Sequence, residues 1–228
     1  MTPLPDPDAR SRLVDAGIDA AVAERLAVYT TLVLQANRRV NLTGAKTGTA
    51  FAEHILDALT LRADVDDPLI DVGSGNGLPG IPLAIATGVR VTLLEPIKKR
   101  ASFLDAALRQ LGLHGRVVAE RAEDAARSAD YREGFGTATA RAVGAAPTVA
   151  ELTVPFLRVG GRAVLQRGAM QDRERHAVAD AALVLGAMLT EERLLAGERR
   201  VLILQKVAST SPRFPRKNGI PAKRPLCL

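Results

Sequence analysis

The chain has no tryptophan, few other aromatics and a single cysteine in 228 residues. With Phe and Tyr making up only 3% of the chain, nucleobase recognition cannot rest on a wide stacking platform. The one cysteine, Cys227, excludes an internal disulfide and a cysteine-rich metal site, and it lies too close to the C-terminus to serve as a thiol nucleophile in a central crevice. A reducing cytoplasm is the expected compartment. No apolar run approaches the length of a membrane span, and no basic segment followed by an apolar stretch opens the chain, so no membrane partner is expected. Acidic residues are missing from residue 199 onward. That segment carries Arg199, Arg200, Lys206, Arg213, Arg216, Lys217, Lys223 and Arg224, eight cations against a net charge of +6 for the whole chain. The basic excess is therefore local to the C-terminus. A local basic patch is a footprint for polyanions, nucleic acid foremost; the plainer alternative is a solvated tail.

What the chain does have is a glycine-rich strand-to-helix turn, Leu69-Ile70-Asp71-Val72-Gly73-Ser74-Gly75-Asn76-Gly77-Leu78-Pro79-Gly80-Ile81-Pro82-Leu83. A short β-branched run ends in glycines that let a ligand approach the main chain, and prolines come next, where the first helical turn has unpaired N–H groups anyway. This is the first unit of a nucleotide-binding α/β sheet. Two ligands compete for it. Gly75 to Gly80 fits the dinucleotide pattern, with Glu95 at about the right distance for a ribose partner. The alternative is the glycine loop of an S-adenosylmethionine methyltransferase, with Asp71 at the strand end, the loop Gly73-Ser74-Gly75-Asn76-Gly77 as cradle and Glu95 on the ribose hydroxyls. The second is preferred, because Asp71 would meet a pyrophosphate with like charge, whereas a sulfonium ligand is cationic at its centre.

The rest of the chain alternates around this unit. Residues 1–8 are proline-rich and read as loose. Apolar spacing marks helices over about 19–37 (Val22, Leu26, Tyr29, Val33) and 49–62 (Phe51, Ile55, Leu59), which form an N-terminal cap. His54 and Asp57 share another face of the second helix, either as a surface pair or lining a site. Strands are expected at 90–95, 116–119, 135–143 and 161–165, with helices between them, opened by Lys98-Lys99-Arg100 in the first case and closed by Gly112. Ala122 and Glu123 come after the third strand, at the carboxyl end where α/β sheets bind ligands, and are placed to meet an adenine edge. Arg141 sits at the exit of the fourth strand, facing the same crevice. Beyond Gln166-Arg167-Gly168 and a helix over about 169–185, two strands at 188–195 and 199–207 succeed one another without an intervening helix. That ending implies an antiparallel hairpin on the sheet edge, usual for methyltransferases and unusual for dehydrogenase halves. The fold expected is α/β, the class I S-adenosylmethionine-dependent methyltransferase type: a Rossmann-like seven-stranded, mostly parallel sheet with an antiparallel C-terminal hairpin. Its organisation is an N-terminal helical extension (1–66), the core (67–208) and a basic C-terminal tail (209–228).

With these motifs in place the chain resembles a named family, the bacterial small-subunit ribosomal RNA guanine-N7 methyltransferases, also called glucose-inhibited division protein B. The resemblance rests on Asn41-Leu42-Thr43, His54-x-x-Asp57, the glycine segment from Asp71 to Leu83, Lys99-Arg100-x-x-Phe103-Leu104, Arg141-Ala142 and the C-terminal Phe214-Pro215-Arg216-Lys217-x-Gly219-x-Pro221-x-Lys223-x-Pro225-Leu226. It implies S-adenosyl-L-methionine as cofactor, leaving as S-adenosyl-L-homocysteine, with contacts at Gly73, Leu78, Ala122, Glu123 and Arg141 and with Glu95 on the ribose. It implies methylation of N7 of one guanosine in the 530 loop of 16S rRNA. The partner expected is 16S rRNA, bare, in the small ribosomal subunit or in its assembly intermediate, and the protein is expected to act as a monomer. The sequence departs from the family at Ala58, where serine is usual, at Arg167, where lysine is usual, and at Phe214, where tyrosine is common.

The chemistry agrees with that resemblance by omission. N7 already exposes a lone pair, so methylation there needs positioning and electrostatics rather than a strong base. No Asn/Asp-Pro-Pro-aromatic stretch comes after the fourth strand, as exocyclic-amine methylation would lead one to expect, although O-methylation also fits that absence. His54 and Asp57 are the candidates to orient the guanine, with Asp57 accepting from its Watson–Crick edge, and Arg141 is the candidate to hold cofactor or a phosphate. The eight C-terminal cations would bind RNA backbone. The competing readings are an NAD(P)-dependent oxidoreductase, a small-molecule methyltransferase and a non-catalytic RNA-binding protein on the same fold.

Overall fold

A computed structural model describes residues 2–141, 144–195 and 197–227. Seven strands form one sheet in the order β3-β2-β1-β4-β5-β7-β6. They are β1 (Leu69–Val72), β2 (Val91–Leu94), β3 (Gly115–Val118), β4 (Phe135–Arg141), β5 (Leu157–Arg167), β6 (Ala187–Leu194) and β7 (Arg200–Lys206). Strands β1 to β5 pair in parallel, and β7 runs antiparallel to both β5 and β6. This is the expected parallel sheet with a C-terminal hairpin. The expected fourth strand ran to residue 143; its last two residues, Ala142 and Val143, lie outside the described residues.

The sheet is covered on both faces, which is why its central strands read as continuous apolar runs. Side-chain alternation sorts them. Leu69, Val91, Leu93, Val164, Val201 and Ile203 belong to one core, and Ile70, Val72, Leu94, Leu165, Leu202 and Leu204 to the other. The first core is closed by α1 (Pro7–Asp15), α2 (Ala20–Val40), α3 (Gly48–Leu59), α4 (Gly80–Thr87) and α5 (Lys98–Leu111). The second is closed by α6 (Ala122–Ala125), α7 (Ala146–Thr153) and α8 (Asp172–Val184). Each fully buried Leu or Ile in these layers contributes about 1.5–3 kcal/mol.

Two local readings are corrected. The N-terminal segment is not loose: Asp6 caps α1 by accepting from the Ala9 N–H at 2.9 Å, Pro7 takes the first helical turn, and Ala9 and Leu13 are fully buried. The 209–228 segment is not a free tail either. It packs along α6 and α7, with Phe214 buried in the second core, and ends in a short α9 (Ile220–Lys223). Arg132 donates to the carbonyls of Thr210 at 2.7 Å and Phe214 at 2.9 Å, and the Thr148 hydroxyl donates to the Pro221 carbonyl at 2.8 Å.

The Asn-Leu-Thr turn has a mechanical explanation. Asn41 closes α2 in the left-handed conformation, φ 53°. The Asn37 side chain then staples the next two residues, its oxygen accepting from the N–H groups of Leu42 (2.6 Å) and Thr43 (2.9 Å) and its amide donating to the Thr43 carbonyl (2.9 Å). This re-aims the chain from α2 into α3.

Candidate active site

The crevice lies at the carboxyl ends of β1, β2 and β4. Between β1 and α4 the backbone folds over itself: the N–H groups of Gly73 and Ser74 both donate to the Leu94 carbonyl, at 2.9 and 3.1 Å, binding the loop to β2. Two glycines here are steric requirements. At Gly77 (φ 101°) a Cβ would stand 2.6 Å from the Ile81 side chain, and at Gly80 it would stand 2.7 Å from Leu93 and 2.8 Å from Asp71. The Tyr29 hydroxyl, from the middle of α2, donates to the Asn76 carbonyl at 2.8 Å and braces the loop from the helical side. Burial pushes the Tyr29 phenol well above its ordinary value, so it stays a donor. Its place on the apolar stripe of α2 marked it as core, and nothing in the spacing foretold its polar end.

Asp71 is not a crevice residue. Its side chain is fully buried under the loop, accepting from the Gly80 N–H at 3.2 Å and the Thr139 hydroxyl at 3.1 Å. Thr139 is its partner in the β1–β4 register. Ser74 is likewise structural, 1% exposed, its hydroxyl donating to the Asp71 carbonyl. Both were expected to contact cofactor; both instead fix the shape of the loop that would. Burial raises the Asp71 carboxyl to about 6, against the pull of the Gly80 N–H, the Thr139 and Ser74 hydroxyls and Arg141. The folded state therefore holds this proton more tightly than the unfolded chain, whose aspartates titrate near 3.8. Stability from this group is intact below about pH 4 and falls as pH rises through about 6. Asp71→Asn keeps the shape and does not titrate. In denaturant melts, the wild-type unfolding free energy minus that of the variant is expected to drop by roughly 2–2.5 kcal/mol from pH 4 to pH 7. A difference independent of pH would contradict this placement.

Glu95 ends β2 at the crevice. It is 3% exposed, and each carboxylate oxygen accepts one backbone N–H, Oε2 from Gly75 at 2.9 Å and Oε1 from Ile97 at 2.8 Å. Each oxygen keeps a second acceptor position. Beside it a cavity of about 110 Å³ is lined by Val72, Gly73, Leu94, Pro96, Arg121, Ala122, Glu123 and Leu152. Its walls are mostly apolar with one buried carboxylate, a slot for a flat heterocycle. Glu123 is 4% exposed and already accepts from the Gly219 N–H at 2.9 Å, so the C-terminal segment helps set this wall. Leu78, expected as a contact, is buried at the loop's turn into α4.

On the opposite side α3 brings Asp57 to the crevice. Its carboxylate faces two guanidinium groups, Arg199 at 2.6 Å and Arg141 at 3.6 Å, and Gln166 donates to its carbonyl at 2.7 Å. Asp57 is therefore charge-paired with two arginines, which hold its carboxylate at the crevice. His54 stands one turn earlier, exposed, edge-on to Phe51. Partial desolvation of the ring on the helix surface, then Arg141, lower its pKa. The family departures are accommodated: Ala58 is fully buried in the first core, Arg167 donates to Glu174 at 3.1 Å, and Phe214 lies in the second core.

The eight C-terminal cations divide. Lys206 is removed from the RNA-facing set: it is 1% exposed, donates to the Val154 carbonyl at 3.2 Å and pairs with Glu133. Arg216 grips the buried Glu151, Arg200 pairs with Glu192 and Arg199 with Asp57. Arg213, Lys217, Lys223 and Arg224 are exposed.

Sheet order, hairpin and glycine loop define the fold as that of the class I S-adenosylmethionine-dependent methyltransferases. Solved structures agree in fold. The geranyl diphosphate C-methyltransferase from Streptomyces coelicolor A3(2) is similar over 67% of this chain and 80% of its own, with TM-score 0.53 and 14% identity. The mitomycin 7-O-methyltransferase MmcR is similar over 87% and 66%, with TM-score 0.55 and 14% identity. Within that class, the family model described as rRNA small subunit methyltransferase G matches residues 22–203, and the chain belongs to that family. Relatives named ribosomal RNA small subunit methyltransferase G include that of Rubrobacter xylanophilus, 42% identical over 96% of this chain and 90% of its own length. That of Deinococcus deserti is 34% identical over 92% and 91%.

Proposed function

We propose that the chain transfers a methyl group from S-adenosyl-L-methionine to N7 of a guanosine in the 530 loop of 16S rRNA. The observation that carries the reading is Glu95: a buried carboxylate anchored by two backbone N–H groups, with acceptor capacity left toward the crevice, next to a mostly apolar slot and a glycine cradle. A ribose diol, an adenine and a sulfonium fit that donor set; a pyrophosphate would bring its charge against Glu95 and the loop over Asp71. Glu95 would hold the ribose, Ala122 and Glu123 the adenine edge, and the loop backbone at Gly73, Gly75 and Gly77 the remainder, with Arg141 at the open end.

The bound cofactor supplies an electrophilic methyl on a cationic sulfur. The protein's part is placement and charge. Attack by N7 needs no prior deprotonation, which suits a crevice whose carboxylates, Asp57 and Glu95, are held by arginines and by backbone N–H groups respectively. A donor on N7 would block the attacking lone pair, so Arg141 and Arg199 belong on phosphate or on the O6 edge. Asp57 holds those two guanidinium groups in place. The exposed cations bind backbone and make affinity fall with salt. The protein is read as acting in the cytoplasm as a monomer, on 16S rRNA within the small subunit or its precursor. Among the described residues no helix is long and apolar enough to cross a membrane.

Mass mapping of 16S rRNA from cells with and without the gene tests the reading. The expected result is loss of a single 7-methylguanosine, restored by adding purified protein and S-adenosyl-L-methionine. An unchanged map removes the function, and calorimetric binding of NAD but not S-adenosyl-L-homocysteine removes the cofactor.

A further inference from the structure

The cations left unpaired are not mainly those of the C-terminal segment. Arg38 and Arg39 in the last turn of α2, and Lys98, Lys99 and Arg100 in the first turn of α5, make no side-chain hydrogen bond or ion pair among the described residues, and all but Arg100 are exposed. Arg38, Arg39 and Lys99 line one groove of about 610 Å³ between the two helices. Each helix carries one acidic residue, and both are taken elsewhere: Glu24 of α2 by Arg10, and Asp105 of α5 by Arg109. The groove thus concentrates positive charge that no side chain among the described residues pairs with. It does so at a cost, since three like charges sit at the end of α5 where the helix dipole is already positive, each unfavourable by about 0.3–1 kcal/mol.

Position gives the groove its use. α5 begins three residues after Glu95, so Lys98 and Lys99 stand on the rim of the crevice. Arg38 and Arg39 lie nine and ten residues beyond Tyr29, which braces the glycine loop, or about 15 Å along the helix. The exposed C-terminal cations Arg213, Lys217, Lys223 and Arg224 belong to a segment packed on the other face of the sheet, over α6 and α7.

We infer that the α2–α5 groove is the seat of an RNA sugar–phosphate backbone, so that the substrate strand is held by cations on both sides of the crevice, with this groove on the cofactor-ribose side. The inference rests on the RNA methyltransferase reading and names where the strand lies. Unpaired Arg and Lys side chains along a groove open to solvent suit a polyanionic backbone; the one aromatic of the lining, Phe103, is half-buried, so the groove offers charge to phosphates rather than a stacking row for bases.

The test compares full-length wild type with a variant carrying Arg38→Gln, Arg39→Gln, Lys98→Gln and Lys99→Gln. Affinity for a 16S rRNA fragment containing the 530 loop is measured across a salt series, and S-adenosyl-L-homocysteine affinity by calorimetry. The variant is expected to lose roughly 10–100-fold in RNA affinity near physiological salt. The slope of log K against log[salt] is expected to fall by about 2–3. Cofactor affinity should be unchanged. In the wild type, RNA is expected to protect Lys98 and Lys99 from acetylation, a reading that needs no variant. Wild-type methylation together with unchanged variant affinity, or no protection of those lysines, overturns the groove alone. Failure of the wild type to bind or methylate 16S rRNA at all overturns the functional reading beneath it.

Discussion

Arg216→Ala is expected to lower the melting temperature by roughly 6–20 °C, reflecting the loss of about 3–5 kcal/mol incurred when one partner leaves a buried ion pair. Glu151, on α7, is fully buried. Arg216 reaches both of its oxygens, with Nη2 to Oε2 at 2.6 Å and Nε to Oε1 at 2.9 Å, and adds its own backbone N–H to Oε1 at 2.7 Å. The same guanidinium donates to the Arg224 carbonyl at 2.7 Å, so it clamps the C-terminal segment as well as the carboxylate. Truncation strands a charge in the second core and releases the strap that carries Gly219 onto Glu123. Adding Glu151→Gln to the variant should recover part of the loss by removing the charge. A melting temperature within 2 °C of wild type, read by circular dichroism at neutral pH, would show that the pair does not hold the segment.

That clamp marks where reading the chain in one dimension stops. The alternating apolar runs made the parallel sheet legible, because strands buried on both faces have few other ways to look, and the missing helix before residue 199 made the hairpin legible. The glycine loop was legible because its close turns exclude side chains, as at Gly77 and Gly80, and Glu95 because it directly follows the next strand. The fate of the cations was not. Arg216 and Lys206 look like solvated basic residues until Glu151, 65 positions away, and Glu133 are brought beneath them. Asp57 looks like a free acceptor until Arg199, 142 positions on, closes over it. Asp71 stands at the expected strand end but with a different outlook: the close approach that Gly80 permits turns its carboxylate under α4 instead of into the crevice. Pro7 in isolation suggests looseness, whereas behind an aspartate cap it starts a helix.

The second large effect concerns Glu95. Glu95→Ala is expected to weaken S-adenosyl-L-homocysteine binding by roughly 100-fold, since two hydrogen bonds from a ribose diol to a charged acceptor are worth about 1.5–3 kcal/mol each and part of that is offset by water. The carboxylate also ties Gly75 to Ile97 through its two oxygens, so its removal loosens the glycine loop against the end of β2. Glu95→Gln is not a mild change here. One of its two positions becomes an N–H donor facing a backbone N–H, of Gly75 or Ile97, and the amide must turn away from one of them. It should therefore lose most of what alanine loses. Because the ribose is remote from the transferred methyl, saturating S-adenosyl-L-methionine should restore much of the turnover, giving a rise in KM larger than the fall in kcat. Affinity for 16S rRNA should stay at the wild-type level, which separates this site from the cationic groove. Isothermal titration of both variants decides it: a dissociation constant within threefold of wild type for Glu95→Ala would mean that the ribose is held elsewhere, and the crevice would have to be assigned again from its other walls.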